Sequence, residues 1–259
     1  MTDIRYIVRS EWIKLWSVRS TWWCLGAAAV VVPVFGALAA SAVDPVEAAA
    51  LPKAWLAEDG FDPLEPLTAV LLAQFVFGVL GVLTVTSEYS TGQIHSSLLA
   101  VPQRRRLLTV KLAVLTAVVA AVATVLVFGT FFLTQALHPD GLGIGLAEGG
   151  AWKVLLGCIA YLLFITVFGF AVGAAVRGTG SGITLFMAVA FLAMSALPAV
   201  FPSTLRDQAV RYTFVGLAES LTTLQPDPRP GMPAAALFLA AYAALALAPA
   251  MLLAERRDN

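Results

Sequence analysis

Six stretches of more than 20 residues run without a single Asp, Glu, Lys or Arg: 20–43, 66–87, 112–139, 154–176, 178–205 and 230–254. A helix crosses about 30 Å of hydrocarbon with about 20 residues, so each stretch can span a bilayer once. The composition of the whole 259-residue chain agrees: it is 59% hydrophobic and only 12% charged. Soluble domains average about 45–50% apolar and about 25% charged residues. A water-soluble fold of this composition would expose large apolar patches, which excludes an ordinary soluble enzyme. Transmembrane strands are excluded as well, since they alternate polarity over about ten residues. The sequence predicts an all-α membrane protein with six transmembrane helices.

The 16 basic and 16 acidic residues cancel, but they are segregated. Six spans bring both termini to one side, together with the segment 88–111 and Arg177. That side holds Arg5, Arg9, Lys14, Arg19, Arg104, Arg105, Arg106, Lys111, Arg177, Arg256 and Arg257, which is 11 of the 16 basic residues. The other side holds Lys53, Lys153, Arg206, Arg211 and Arg229. Its first loop alone carries Asp44, Glu47, Glu58, Asp59, Asp62 and Glu65. Lys and Arg near span ends set orientation, so both termini are placed in the cytoplasm. Small-residue triplets at 37–42 resemble leader cleavage sites. The charged segment before them contains Asp3 and Glu11 and is unlike a short cationic leader, so the first span is expected to be kept.

Residues 1–21 read as an amphipathic helix lying on the membrane. Ile4, Val8, Trp12, Leu15 and Trp16 share one face, while Arg5, Arg9 and Lys14 fall mostly off it. Tryptophan favours the headgroup zone, and Trp12, Lys14, Trp16 and Arg19 are the candidate interfacial residues. Ser20-Thr21 is expected to turn the chain into the first span. The spans are placed at 22–43, 66–87, 112–136, 154–176, 182–201 and 233–254, within a single domain covering 1–259. Gly169 and Gly173 in the fourth span have the spacing that lets helices approach closely in lipid. Gly178–Gly182 reads as a tight cytoplasmic turn. The outer segment 202–232 contains an amphipathic stretch from Leu205 to Leu224, read as one or two short helices dipping into the outer leaflet.

The cytoplasmic segment 88–111 is the most distinctive. Gln93–Val101 has the makings of a short helix, with Ile94, Leu98 and Val101 on one face. Gly92 permits a sharp turn before it, and Pro102 ends it. Arg104, Arg105, Arg106 and Lys111 follow.

Chemistry is sparse. None of the four lysines follows a glycine, so there is no phosphate-binding Gly-Lys-Ser/Thr loop. Ser181 has no histidine in a downstream span to activate it. His95 and His138 are separated and make no recognisable metal site. Cys24 and Cys158 lie in different spans and suggest no disulfide framework. Ion-coupled carriers place ionisable groups inside their spans, and these six runs have none. Gln74 and Gln135 read as contacts between helices. Energy for any transport would come from another polypeptide.

At Glu88, Tyr89, Gly92-Gln93-Ile94, Pro102, Arg104–Arg106 and Lys111 the sequence resembles the cytoplasmic loop of type-2 ABC permeases. The segment Ser10–Trp23 and the Arg256-Arg257-Asp258 ending are similar to actinobacterial members. The resemblance implies a permease subunit of an exporter in a bacterial inner membrane. It would dimerise with a second copy or a close paralogue and pair with two separate ABC ATPase subunits. ATP and Mg would be bound by those partners; this chain is expected to hold no cofactor or metal, to be no enzyme itself and to bind no nucleic acid. In that family the loop after the second span docks on the ATPase. Here the contact residues would be Glu88, Tyr89, Gly92, Gln93, Ile94, Leu98, Pro102 and Arg104–Arg106, supported by the N-terminal helix. For the three arginines, anchoring to anionic lipid is the alternative. The uncharged interior suits a hydrophobic or amphipathic cargo such as a drug, lipid or peptide. A non-transporting assembly or immunity factor and an intramembrane enzyme are the rival readings.

Overall fold

The computed structural model describes residues 4–52, 61–93, 103–139, 141–195, 202, 208–223 and 230–256. Helices are the only repeating structure among them: α1 (Ile4–Ser17), α2 (Arg19–Ser41), α3 (Pro45–Ala50), α4 (Val70–Ser90), α5 (Arg104–Leu137), α6 (Ala151–Val176), α7 (Thr179–Ser195), α8 (Phe214–Thr222) and α9 (Met232–Arg256). A 3-10 turn, Glu65–Ala69, leads into α4. Lipid offers the backbone no hydrogen-bonding partner, so every spanning segment must satisfy its own amides, as helices do.

Five of these segments are long and apolar enough to cross a membrane: Arg19–Ser41, Glu65–Ser90, Arg104–Leu137, Ala151–Val176 and Met232–Leu252. The sixth apolar stretch contributes α7, whose 17 residues rise about 26 Å at 1.5 Å per residue.

Several boundaries differ from the sequence expectation. The bend between the interfacial helix and the first span is at Val18, in extended geometry (φ −90°, ψ 122°), two residues before Ser20-Thr21. Helix α5 begins at Arg104 rather than near residue 112, because nothing after Pro102 breaks it. Its 34 residues extend about 51 Å, well beyond the hydrocarbon thickness. Gly180 and Gly182 are helical; the turn is confined to Arg177 and Gly178, with Arg177 in the left-handed region (φ 63°). Helices tolerate glycine where a close neighbour satisfies packing, and Gly182 lies against Val82 and Thr86.

Helices α4 and α6 run parallel and touch backbone to backbone. A Cβ on Gly173 would sit 2.8 Å from the Val82 carbonyl oxygen. One on Gly169 would collide with the Gly78 carbonyl, and one on Gly81 with the Thr166 carbonyl. The ring of Phe186, from α7, covers Gly78. The Tyr161 hydroxyl donates to Gln74 Oε1 between the same two helices. Without a hydrophobic force between helices in lipid, such close contact is what holds them together.

At the opposite end from Glu88, Gln135 ties two loops. Its Nε2 donates to Pro63 O at 3.0 Å, and its Oε1 accepts from the Ile144 amide at 2.9 Å. His138 Nε2 lies 3.1 Å from the same Pro63 oxygen. Both in-span glutamines thus serve structure.

Helix α8 is antiparallel to α6. Phe214 at its start packs on Phe164 and Phe168, at ring separations of 5.2 and 5.1 Å. Leu221 near its end lies on Gly157. Phe168 is about 26 Å along α6 from Ala151, so α8 begins far along α6 and runs back toward its start. Thr213 caps it, its hydroxyl accepting from the Gly216 amide at 3.1 Å.

Gly169→Ala should therefore destabilise the protein by about 1–3 kcal/mol through overpacking. Gly129→Ala meets nothing within 4 Å and should be neutral or stabilising by up to about 1 kcal/mol. Unfolding midpoints in mild detergent check this; a native midpoint for Gly169→Ala would contradict the packing.

Candidate coupling site

Four charged side chains from three elements meet where α4 ends and α5 begins. Lys111 pairs with Glu11 and, at 2.8 Å, with Glu88. Lys14 completes the circuit, 2.7 Å from Glu11 and 2.9 Å from Glu88. The result is a closed ring of alternating charge, Lys14–Glu11–Lys111–Glu88. The side chains of Lys111, Glu11 and Glu88 are 4%, 2% and 5% exposed, that of Lys14 29%.

Helical spacing builds this ring. Ile7, Glu11 and Leu15 are the buried positions of α1, four residues apart on one face. The apolar stripe read from sequence lies mostly on the neighbouring face: Ile4, Val8 and Trp12 are exposed, Trp16 is half-buried, and only Leu15 belongs to both faces. Helix α1 thus turns Glu11 to the protein and its Trp12 stripe outward. Lys14, one turn from Glu11, reaches the same carboxylate. The bend after α1 is clamped by Trp22, whose indole donates to Trp16 O at 3.0 Å.

Two buried carboxylates and two ammonium groups leave no net charge, which is what burial demands. Desolvation alone would push the Lys14 pKa down. Hydrogen bonds and charge from Glu11 and Glu88 outweigh it and hold the ammonium above its ordinary value. Glu88 Oε2 has no hydrogen-bond partner in the protein. Glu88 also lines a cavity of about 30 Å³, bordered by Thr84, Ser87 and Gln93, with room for one or two waters.

Tyr89 points the other way. The Arg177 guanidinium stacks over its ring, 5.3 Å from the centroid, so adjacent residues of α4 grip α1 and α5 on one side and the α6–α7 turn on the other. Beyond them Gly92 has φ +72° and open space around it. It follows the αR residue Thr91, whose amide bonds back to Ser87, the left-handed helix ending that glycine allows without strain. Gln93 is the last described residue of this arm. Ile94, Leu98 and Pro102 lie outside the described residues, as does His95.

Arg104–Arg106 form the first turn of α5. Cations at a helix N-terminus oppose its dipole, so the dipole does not account for their position. Arg19 is exposed at the start of α2. Gly169 and Gly173 lie in the α4–α6 contact, away from this site. Glu11 and Arg177 are site residues that motif reading passed over, and Lys111, although part of the motif, was not counted among the contact residues. The available signal for Glu11 was an acid three residues before a lysine on an otherwise cationic helix. Among the described residues no group of three or more His, Cys, Asp or Glu could hold a metal. Both cysteines are free thiols.

Lys111→Met would leave Glu11 and Glu88 sharing Lys14 alone and should cost about 3–5 kcal/mol; an unchanged unfolding midpoint would show that the ring is not formed. Because the Lys14 pKa is raised on folding, its contribution is complete below the unfolded lysine pKa of about 10.4 and is lost as pH climbs through the folded value. An alkaline loss of stability that Lys14→Met flattens is the expected result in midpoint measurements between about pH 8 and pH 12.

No curated protein matches the chain. The family model described as "ABC-2 family transporter protein" matches residues 7–206, from the buried face of α1 past the end of α7. A multi-pass helical body, with a basic N-terminal helix packed on α4 and α5 stems that are locked by buried charge, is the setting of that match: the chain belongs to the ABC-2 transporter family, the membrane permeases of ABC transporters.

Proposed function

We propose that this chain is the permease subunit of an ATP-driven exporter in a bacterial inner membrane. It has six spans, α7 with the residues after it forming the fifth, and both termini in the cytoplasm. It works as a dimer, with a second copy or a close paralogue, and two separate ATPase subunits power it. The hairpin between α4 and α5 is the ATPase contact, with Gly92, Gln93, Ile94, Leu98 and Pro102 at its tip and Arg104–Arg106 at its return. ATP and Mg belong to those partners. The cargo is hydrophobic or amphipathic, a drug, lipid or peptide.

The observation that carries this reading is the construction of the hairpin's root. Its two stems are fixed by the Glu88–Lys111 pair at 2.8 Å, while Thr91, Gly92 and Gln93, which lead away from it, are exposed. A lever needs a rigid root. The family match supports a transport role. Glu88 and Lys111 at the span ends are paired with one another and with α1, which suits a body driven from outside rather than one that runs on a proton or sodium gradient.

Gly92→Pro tests the lever. Proline holds φ near −65° and cannot take +72°, whereas asparagine enters the left-handed region readily. With the ATPase co-isolated, Gly92→Pro should hydrolyse ATP but lose at least tenfold in transport, and Gly92→Asn should retain it. Native transport by Gly92→Pro, or purification without any ATPase, would contradict the reading. A reporter fused after Asn259 should remain cytoplasmic.

A further inference from the structure

At the end of the molecule opposite the charged ring, three helices leave a hollow in the apolar wall. Helix α8 crosses α6 at Gly157, where a Cβ would collide with the Leu221 carbonyl, and α9 starts at Met232. Between them lies a groove of about 610 Å³, bordered by Trp152, Lys153, Leu156 and Gly157 of α6, Leu221 of α8 and Met232 of α9. Along α6 it runs from Trp152 to Ala160, about 12 Å at 1.5 Å per residue. Its volume falls in the range of about 300–1,000 Å³ that holds small organic ligands. Among the described residues, Lys153 is the one charged group on its border. An apolar hollow does not hold water, and left empty it forfeits dispersion contacts along its walls. In a bilayer the natural filler is an acyl chain.

We propose that this groove binds an anionic phospholipid, with one acyl chain lying between α6, α8 and α9 and the phosphate meeting the Lys153 ammonium. Charge complementarity selects the occupant. Lys153 is exposed at the rim, and among the described residues no carboxylate pairs with it. Glu148, five positions earlier, is engaged in its own loop, its Oε2 accepting from the Gly145 amide at 3.2 Å. The Lys153 ammonium lies 5.7 Å from the Trp152 ring centroid, a contact that keeps the cation at the mouth and leaves its N–H groups able to donate. Tryptophan favours headgroup depth, so Trp152 and Lys153 mark the level of the phosphate. Leu156 and Ala160, both exposed, follow one and two turns along α6 and mark the level of the chain. A neutral apolar molecule would use the groove without the lysine. A zwitterionic lipid brings its own cation to compete for the phosphate, whereas a lipid of net negative charge satisfies both features. Basic pockets between membrane helices recognise lipid headgroups in this way. The leaflet concerned is the one opposite the charged ring, which is the outer leaflet in the topology proposed above.

Photolabelling of the full chain in phosphatidylcholine nanodiscs tests the site. The discs carry a trace of phosphatidylglycerol or of phosphatidylcholine with a diazirine in one acyl chain, and adducts are mapped by peptide mass spectrometry. Residues 152–160 and 232–236 should be labelled about fivefold more by the phosphatidylglycerol probe, the weight of one lysine beside an anionic lipid. Lys153→Gln should abolish that preference, and Lys153→Arg should retain it. Ala236→Trp puts a ring into the groove from an exposed position of α9. It should cut labelling there by both probes about fivefold, while labelling around Val125, exposed on α5, stays native. Equal labelling of the native groove by the two probes would mean ordinary boundary lipid. A preference that survives Lys153→Gln would place the recognising charge elsewhere, and labelling unmoved by Ala236→Trp would place the chain outside the groove. Any of these three results overturns the proposal. The measurement uses neither nucleotide nor ATPase, so its outcome is separate from that of the transport reading.

Discussion

Buried charge is tolerated only where it is cancelled, and in this protein the cancellation is shared among three helices. Glu11 comes from α1, Glu88 from the end of α4 and Lys111 from the first turns of α5. Each is almost wholly buried, and each has an opposite charge beside it. The ring therefore dictates where α1 lies, how far α4 continues past the apolar stretch, and why α5 must already be helical at Lys111. Lys14, the most exposed member, closes the circuit from the water side. Everything at the inner end of the molecule is arranged around this neutrality.

Deeper in the membrane the problem is different, because lipid does not drive apolar surfaces together. Contact there comes from shape. Gly78, Gly81, Gly169 and Gly173 strip the facing sides of α4 and α6 to bare backbone, and the Gln74–Tyr161 hydrogen bond adds a polar contact a few turns away. These two parallel helices form the stiff centre, against which α7, α8 and α9 pack. A rigid centre with a charge-locked inner end is a body suited to transmitting a push, and the ABC-2 family match assigns the chain to a class of proteins that transport.

Hydropathy made the helical membrane class legible at once, since a charge-free run of 20 residues has few other uses. Ends were less legible. Periodicity cannot say where helix continues into the charged flank, so Arg104–Lys111 and Glu88–Ser90 read as loop although both are helical. The Gly169–Gly173 spacing was visible, but its partner glycines on α4 were not, because a close approach is a property of two surfaces. Glu11 was hidden for a related reason. On sequence alone an acid on an amphipathic helix belongs to the wet face; only the counter-charge of Lys111, 100 residues away, makes a buried position affordable. The depth of α8 was likewise invisible, being set by the packing of Phe214 on Phe164 and Phe168.

The central claim is that the arm leaving Gly92 meets a nucleotide-hydrolysing partner. Site-specific photocrosslinking from Gln93 in native membranes tests it most directly. The account predicts one dominant adduct with a separate protein that carries a phosphate-binding Gly-Lys-Ser/Thr loop. Adducts only to lipid, or to a second copy of this chain, would contradict it.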